Sequence, residues 1–310
     1  MVEKVSMRAV RIYRYGGPEV LTYETDAPEP ALTSDSVLIE TVATSVNPID
    51  WKVRSGARQK DFPLDLPAIL GKDVSGIVQA VGDAVRTFRP GDRVIALAEA
   101  TYAERVVVRA DTVTHLPEGV DPIDAAALPL VSMTGEQLVR IATGVAAGQV
   151  ILVTGALGSV GRAAVHTARE LGARVIAGVR ARQSAEAATL GVDGVLALDD
   201  EDAINRLDRV DGVADTVGGE IAAKLFEKVK AGGRFGYASV LPDGVAARIP
   251  DIQVTRVFAR PDASKLREFA DNVRDGRFVL PISARMPLSD ARAAHERLEK
   301  GGGGKIVLVL

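Results

Sequence analysis

Apolar and polar positions fall into two textures along this chain. From Val150 a run of β-branched residues ends at Val153, enters a glycine-bearing turn and opens directly into an alanine-rich segment of helical period. Gly172 punctuates the end of that helix, where a left-handed residue suits the chain, and Ala173 to Val179 is again a buried-strand run. This is one βαβ unit. Apolar runs of the same kind recur, giving six predicted strands: Val150–Thr154, Arg174–Val179, Gly194–Leu198, Gly212–Val217, Arg234–Ser239 and Val254–Ala259. With helical segments between most of them, they predict a doubly wound parallel sheet of the Rossmann type.

The first ~120 residues alternate differently. Short β-rich segments at Ser36–Thr44, Val74–Val81, Arg93–Leu97 and Ala103–Arg109 are separated by Gly, Pro and Asp clusters such as Arg89-Pro90-Gly91-Asp92, which predicts a compact, mostly antiparallel β-domain. Asp124–Gly144 has helical period despite Pro129, and Ser264–Gly276 and Ser289–Glu299 are predicted amphipathic helices. The run Gly301–Gly304 before Lys305 lacks the Ser or Thr of a phosphate loop; it is expected to be a flexible turn into a last strand, Lys305–Leu310. No repeat or low-complexity tail interrupts this order.

At 310 residues two domains are expected, and 47% hydrophobic with 25% charged residues is ordinary for a globular chain. A net charge of −3 offers no electrostatic footing for nucleic acid or an anionic membrane. The absence of cysteine excludes disulfides, thiolate nucleophiles and cysteine-based zinc sites. MVEKVSMRAVRIYRYGG lacks an apolar leader and no apolar run approaches the ~18 residues of a membrane span, so a soluble, cytoplasmic protein is expected.

The turn Gly155-Ala156-Leu157-Gly158-Ser159-Val160-Gly161 carries the first chemical signal. Glycines let backbone approach a ligand closely, and free N–H groups at a helix start attract a pyrophosphate. The spacing is A-x-G-x-x-G; framed by strand and helix it points to dinucleotide binding, with a structural βα turn as the alternative. After the second strand come Arg180 and Arg182, with no carboxylate before Glu186. Two guanidiniums suit the 2′-phosphate of NADP(H), although surface arginines would also read this way. Thr216, Val217 and Gly218 follow the fourth strand, at the sheet edge where such folds bind ligands; a simple turn explains them equally.

MRAVRIYRYGGPEVL, SVNPIDWKVRSG, LGKDVSGIVQAVGDAVRTFRPGDRV, the Val150–Val179 unit, ARPDASKL and GGKIVLVL together resemble the zinc-independent quinone oxidoreductase branch of the medium-chain dehydrogenase/reductases. The resemblance covers essentially the whole chain. Chains of that family begin at the equivalent of Met7, so the residues before it read as an alternative start or an added segment. It implies an α/β protein with a GroES-like β-domain at residues 1–123 and 275–310, a Rossmann NADP-binding domain at 124–274, an active site in the cleft, and a homodimer formed through the edge strand Val254–Ala259.

It also implies that Asn47 replaces a cysteine zinc ligand and that Lys72-Asp73 replaces a His-Glu pair, leaving no metal site; His115, His166 and His295 are not placed to rescue one. Without a Lewis acid the expected substrate is a conjugated carbonyl, a quinone or enone, which spreads developing charge as hydride arrives. Asn47 is the expected donor to nicotinamide and substrate, or else a turn-capping residue, with Asp50 lining the pocket and Lys72 pairing with Asp50 or Asp73. Thr134 matches a family threonine near the cofactor, or bonds its own helix backbone. Rival readings are an enoyl or double-bond reductase of a biosynthetic pathway and a non-catalytic nucleotide-binding protein on the same fold.

Overall fold

The computed structural model describes residues 6–245, 251–301 and 304–310. By contacts the chain divides into two compact units, Met1–Leu130 with Pro261–Leu310, and Val131–Arg260. The helix Ala263–Arg274 therefore belongs to the first unit, where it packs on the strand Val113–His115, whereas the sequence reading carried the dinucleotide domain to residue 274.

In the second unit the sheet order is Gly194–Ala197, Arg174–Val179, Val150–Thr154, Val210–Asp215, Val229–Tyr237 and Gln253–Arg256, every pair parallel. Strands of such a sheet are covered on both faces and so read as unbroken apolar runs. Alternate residues of Val150–Thr154 divide accordingly: Ile151 and Val153 pack with Ala164, Val165 and Val175, while Leu152 packs with Leu196, Val213 and Phe235. Gly172 adopts φ 74° at the helix end, as its position predicts.

Two local expectations change. The helix expected over Asp124–Gly144 is broken into Pro122–Ala125 and Pro129–Gln137, because each proline suits only a first helical turn. The second runs on as a π-helix, Leu138–Thr143, that stops at Gly144 with φ 56°. The fifth strand, expected over Arg234–Ser239, runs Val229–Tyr237 and so includes Ala231-Gly232-Gly233, where its pairing shifts register.

The first unit contains two sheets. Thr22–Pro28, Ser6–Ile12 and Ala68–Ile69 form the smaller, antiparallel one. The larger has seven strands arranged around Ser36–Val46. Residues Ser36–Glu40 pair with Arg109–Arg105, and further along Ala43–Val46 pair with Val309–Ile306 of the C-terminal strand, Lys305–Val309. The pairing Ile306↔Val46 brings Lys305 beside Asn47. On the other edge Ala43↔Ser75 leads the start of the strand Asp73–Val81 to Ser45. Of the glycine run before Lys305, residues 302–303 lie outside the described residues, as do 246–250 and 1–5.

Candidate functional site

The phosphate turn has the geometry its glycines require. Gly155 sits at φ 61°, and a Cβ there would lie 2.4 Å from Thr216 Oγ1. A Cβ on Gly161 would come within 2.1 Å of the Gly155 carbonyl, so this glycine lets the helix Ser159–Glu170 close onto the strand. Gly158 differs: its Cβ would meet only the Gly155 carbonyl, at 3.2 Å, and otherwise open space. Internal packing therefore asks little of Gly158, and the turn is left open on that side. The first helical bond runs from Arg162 N–H to Gly158, leaving the N–H groups of Ser159, Val160 and Gly161 at the helix start. Ala156 is buried in the core and Leu157 packs against it. These residues fit a dinucleotide pyrophosphate.

Around this turn the other expected cofactor residues are held by specific contacts. Asp215 accepts from Thr154 Oγ1 at 2.7 Å and Ser239 Oγ at 2.5 Å, and its Oδ1 also accepts from the N–H groups of Val217 and Gly218. The carboxylate thereby shapes the Thr216–Gly218 turn, and Thr216 Oγ1 donates to the Thr154 carbonyl at 2.7 Å. Thr134 is buried in the helix Pro129–Gln137, next to Gly135, whose Cβ would lie 2.7 Å from the Val160 carbonyl. Arg180 and Arg182 are exposed beyond the strand Arg174–Val179, and among the described residues neither guanidinium has an ion-pair partner. Glu186 is engaged by Arg162 at 3.0 Å.

The first unit holds a second, buried polar cluster. Asn47 starts the helix Pro48–Arg54, and its N–H donates to Asp50 Oδ2 at 2.8 Å. Its side chain turns away from the helix: Nδ2 donates to Asp73 Oδ2 at 2.7 Å, and Oδ1 accepts from Lys305 Nζ at 2.6 Å. At 1% exposure the amide is spent inside the protein. Asp73 also accepts from Ser45 Oγ and from Leu130 N–H, and Lys305 Nζ lies 3.4 Å from Asp73 Oδ2. Burial lowers the Lys305 pKa, opposed by the Asp73 and Asp50 charges.

Asp50 Oδ2 accepts a second hydrogen bond from Tyr102 Oη at 3.0 Å. The Tyr102 oxygen lies 3.1 Å from His295 Nε2, and His295 Nδ1 lies 3.0 Å from Arg54 NH1. A guanidinium only donates, so Nδ1 accepts, Nε2 carries the proton and donates to Tyr102, and the tyrosine proton points at Asp50. Arg54 itself is fully buried, pairing with Glu299 at 2.6 Å and donating to the Gly16 carbonyl. Desolvation raises the Asp50 pKa to about 7, and desolvation with the Arg54 charge lowers that of His295 to about 3. Asp50 lines a cavity of ≈ 260 Å³ together with Phe62, Leu64, Leu70, Gly71, Lys72 and Glu99.

Lys72 does not make the expected pairing with Asp50 or Asp73. Neighbouring residues entering a strand face opposite sides, so Asp73 turns inward while Lys72 pairs with Glu99 and sits 5.0 Å over the Phe62 ring. The cation that meets Asp73 is Lys305. Sequence reasoning missed Lys305, Tyr102, Arg54 and His295. The available signal was a charged residue opening an otherwise apolar strand, KIVLVL. Of the other histidines, His115 stacks on Phe88 and faces Asp92 at 3.2 Å, and His166 lies in the helix after the phosphate turn. Among the described residues no three His, Asp or Glu side chains form a group that could hold a metal ion, and no helix is long and apolar enough to cross a membrane.

The family model "Alcohol dehydrogenase GroES-like domain" matches residues 33–118, and that of "Zinc-binding dehydrogenase" matches residues 190–308. The chain is 30% identical to the quinone oxidoreductase of Homo sapiens over 327 residues, covering 98% of each. It superposes on the quinone oxidoreductase of Coxiella burnetii with a TM-score of 0.86 at 29% identity, covering 98% of this chain and 99% of that one. A mycobacterial protein solved in complex with NADPH gives a TM-score of 0.84 at 27% identity, over 98% and 100% of the two chains.

Proposed function

The chain belongs to the quinone oxidoreductase branch of the medium-chain dehydrogenase/reductases, and on that premise we propose that it is an NADPH-dependent, zinc-independent oxidoreductase whose acceptor is a quinone or another conjugated carbonyl compound. The observation that carries the cofactor choice is the pair Arg180 and Arg182, exposed and, among the described residues, without ion-pair partners, just past the strand Arg174–Val179. Fork-shaped guanidiniums there suit a 2′-phosphate, whereas an NAD site wants a carboxylate for the ribose hydroxyls. The phosphate turn with its open Gly158 would hold the pyrophosphate. Bound there, the nicotinamide supplies a hydride.

The acceptor class follows from the chemistry of the first unit. Asn47, which by resemblance stands at a cysteine-ligand position of zinc-dependent relatives, and Asp73, of the Lys72-Asp73 pair that replaces their His-Glu, both bind the ammonium of Lys305. With no Lewis acid to steady an alkoxide, an acceptor that delocalises its own charge is favoured. The small cavity beside Asp50 and Phe62, just under the ~300 Å³ at which ordinary ligand pockets begin, suits a compact acceptor. The strand Gln253–Arg256, which among the described residues pairs on one side only, is the proposed seam of a homodimer.

The test is nicotinamide absorbance with NADPH and NADH in parallel against a panel of quinones and 2-enones. NADPH oxidation that depends on a quinone or enone supports the proposal. Oxidation of neither cofactor by any member of the panel, with NADPH still binding, would turn the reading toward a nucleotide-binding protein.

A further inference from the structure

Reduction of a conjugated carbonyl by a hydride delivers two electrons and leaves an enolate or hydroquinone anion that needs one proton. The residues able to give it are few. Tyr102 already donates to Asp50, Lys305 is committed to Asn47 and Asp73, and Lys72 is paired with Glu99. Of the carboxylates on the described cavity wall, Asp50, Asp61 and Glu99, Asp50 is the buried one, and both of its hydrogen bonds, from Asn47 N–H and Tyr102 Oη, fall on Oδ2, leaving Oδ1 for the cavity.

We propose that Asp50 is the proton donor of the reaction, acting as a neutral carboxylic acid whose Oδ1–H faces the cavity, and that Tyr102, His295 and Arg54 are positioning residues that dictate which oxygen carries the proton. This rests on the oxidoreductase reading above. Arg54 occupies His295 Nδ1, so Nε2–H must donate to Tyr102, and the tyrosine proton must go to Asp50 Oδ2. An oxygen that accepts two hydrogen bonds is the poorer site for a proton, so the acid proton resides on Oδ1. In the step itself the Oδ1–H bond breaks and an O–H bond forms on the hydroquinone oxygen, or a C–H bond on the enolate carbon of an enone. The resulting carboxylate is reprotonated by water entering the cavity.

The charges around Asp50 let the acid form persist to neutral pH. Desolvation and the Asp73 charge raise its pKa, while the Asn47 N–H, the Tyr102 hydroxyl and the Lys305 ammonium oppose them, leaving it at about 7. His295 contributes no charge, since its own pKa falls to about 3, and Arg54 is neutralised by Glu299. On the cavity wall Lys72 and Glu99 offset each other, and Asp61 is paired with Arg58 at 3.1 Å.

The test combines the pH dependence of kcat with a carbonyl-labelled carbon NMR titration of Asp50, assigned by its loss in Asp50→Asn. Wild type should lose activity as pH rises through about 7, with the Asp50 resonance titrating over the same range. Asp50→Asn, which keeps the acceptor oxygen for Asn47 and Tyr102, should lower kcat about 100-fold, the smaller end of what a positioned acid contributes, and abolish the alkaline limb while leaving NADPH binding intact. Tyr102→Phe removes a hydrogen bond that holds the pKa down, so its alkaline limb should move to higher pH, a shift that a purely structural tyrosine would not produce. Wild-type kcat and pH profile in Asp50→Asn, or an Asp50 resonance titrating below pH ~5 in the range of ordinary carboxylates, would overturn the assignment and leave the oxidoreductase reading standing. A wild-type protein that reduces no acceptor while Asp50 titrates near neutrality would instead sink the oxidoreductase reading and the donor role with it.

Discussion

Lys305 Nζ donates to Asn47 Oδ1 at 2.6 Å, joining two buried side chains 258 residues apart in the chain. The same ammonium is the counter-charge of Asp73, which is wholly buried. Removing one partner of a buried ion pair strands the other, at a cost of roughly 3–5 kcal/mol. Lys305→Met is expected to lose stability by about that much in urea denaturation. Adding Asp73→Asn should restore part of the loss, because the stranded charge is then gone. Strict additivity of the two substitutions would show that the pair is not coupled.

Asp50 and His295 oppose each other in the dependence of stability on pH. The folded pKa of Asp50 is raised from 3.8 to about 7, so between those values the native state holds a proton that the unfolded state lacks, and stability falls as pH rises. The folded pKa of His295 is depressed from 6.5 to about 3, so over that range the unfolded state holds the extra proton, and stability rises with pH. Across the shared window the two slopes cancel. Asp50→Asn removes the falling one, so the stability of the variant relative to wild type should climb by about 1.4 kcal/mol per pH unit between pH ~4 and ~7. A pH-independent difference between the two proteins would refute the paired shifts.

Two glycines of the phosphate turn should fail in different ways. Gly161→Ala drives a methyl group into the Gly155 carbonyl and is expected to lower stability by about 1–3 kcal/mol, with a matching drop in Tm. Gly158→Ala meets no such obstacle and should leave Tm nearly unchanged while weakening NADPH binding in a fluorescence titration. Equal losses of stability in both variants would contradict the division of labour.

Arg180→Ala and Arg182→Ala should leave folding intact, since both side chains are exposed and unpaired among the described residues. The proposed consequence is confined to cofactor choice. Losing a charge-assisted contact to a 2′-phosphate, worth about 1.5–3 kcal/mol, should raise the Kd for NADPH about 10- to 100-fold and leave that for NADH unchanged. Parallel weakening of both cofactors would point away from a 2′-phosphate contact.

How much of this was legible beforehand depended on the range of the interactions. Val150–Thr154 and Arg174–Val179 occupy the predicted spans because a strand buried on both faces must be apolar throughout. The spacing of Gly155, Gly158 and Gly161 marked the turn because the positive φ of Gly155 and the close approach of Gly161 to the Gly155 carbonyl are set within a few residues. The ends of the helical segment around Pro129 and of the fifth strand were misplaced by a few residues, where a boundary depended on strand register and on which turn of a helix a proline entered.

The site of the first unit was legible in only one of its halves. SVNPIDWKVRSG pointed to Asn47 and Asp50, but nothing local to it identifies Lys305, Tyr102 or His295, nor distinguishes Lys72 from Lys305 as the partner of Asp73. Alternating apolar runs and turn glycines, being local, determined the element order, the two-domain class and the phosphate turn from the sequence by itself. Only the tertiary structure decided which charges meet. Antiparallel pairing of Val46 with Ile306, and of Ala43 with Ser75, converts residues far apart in the chain into hydrogen-bonded neighbours, and burial then sets their protonation.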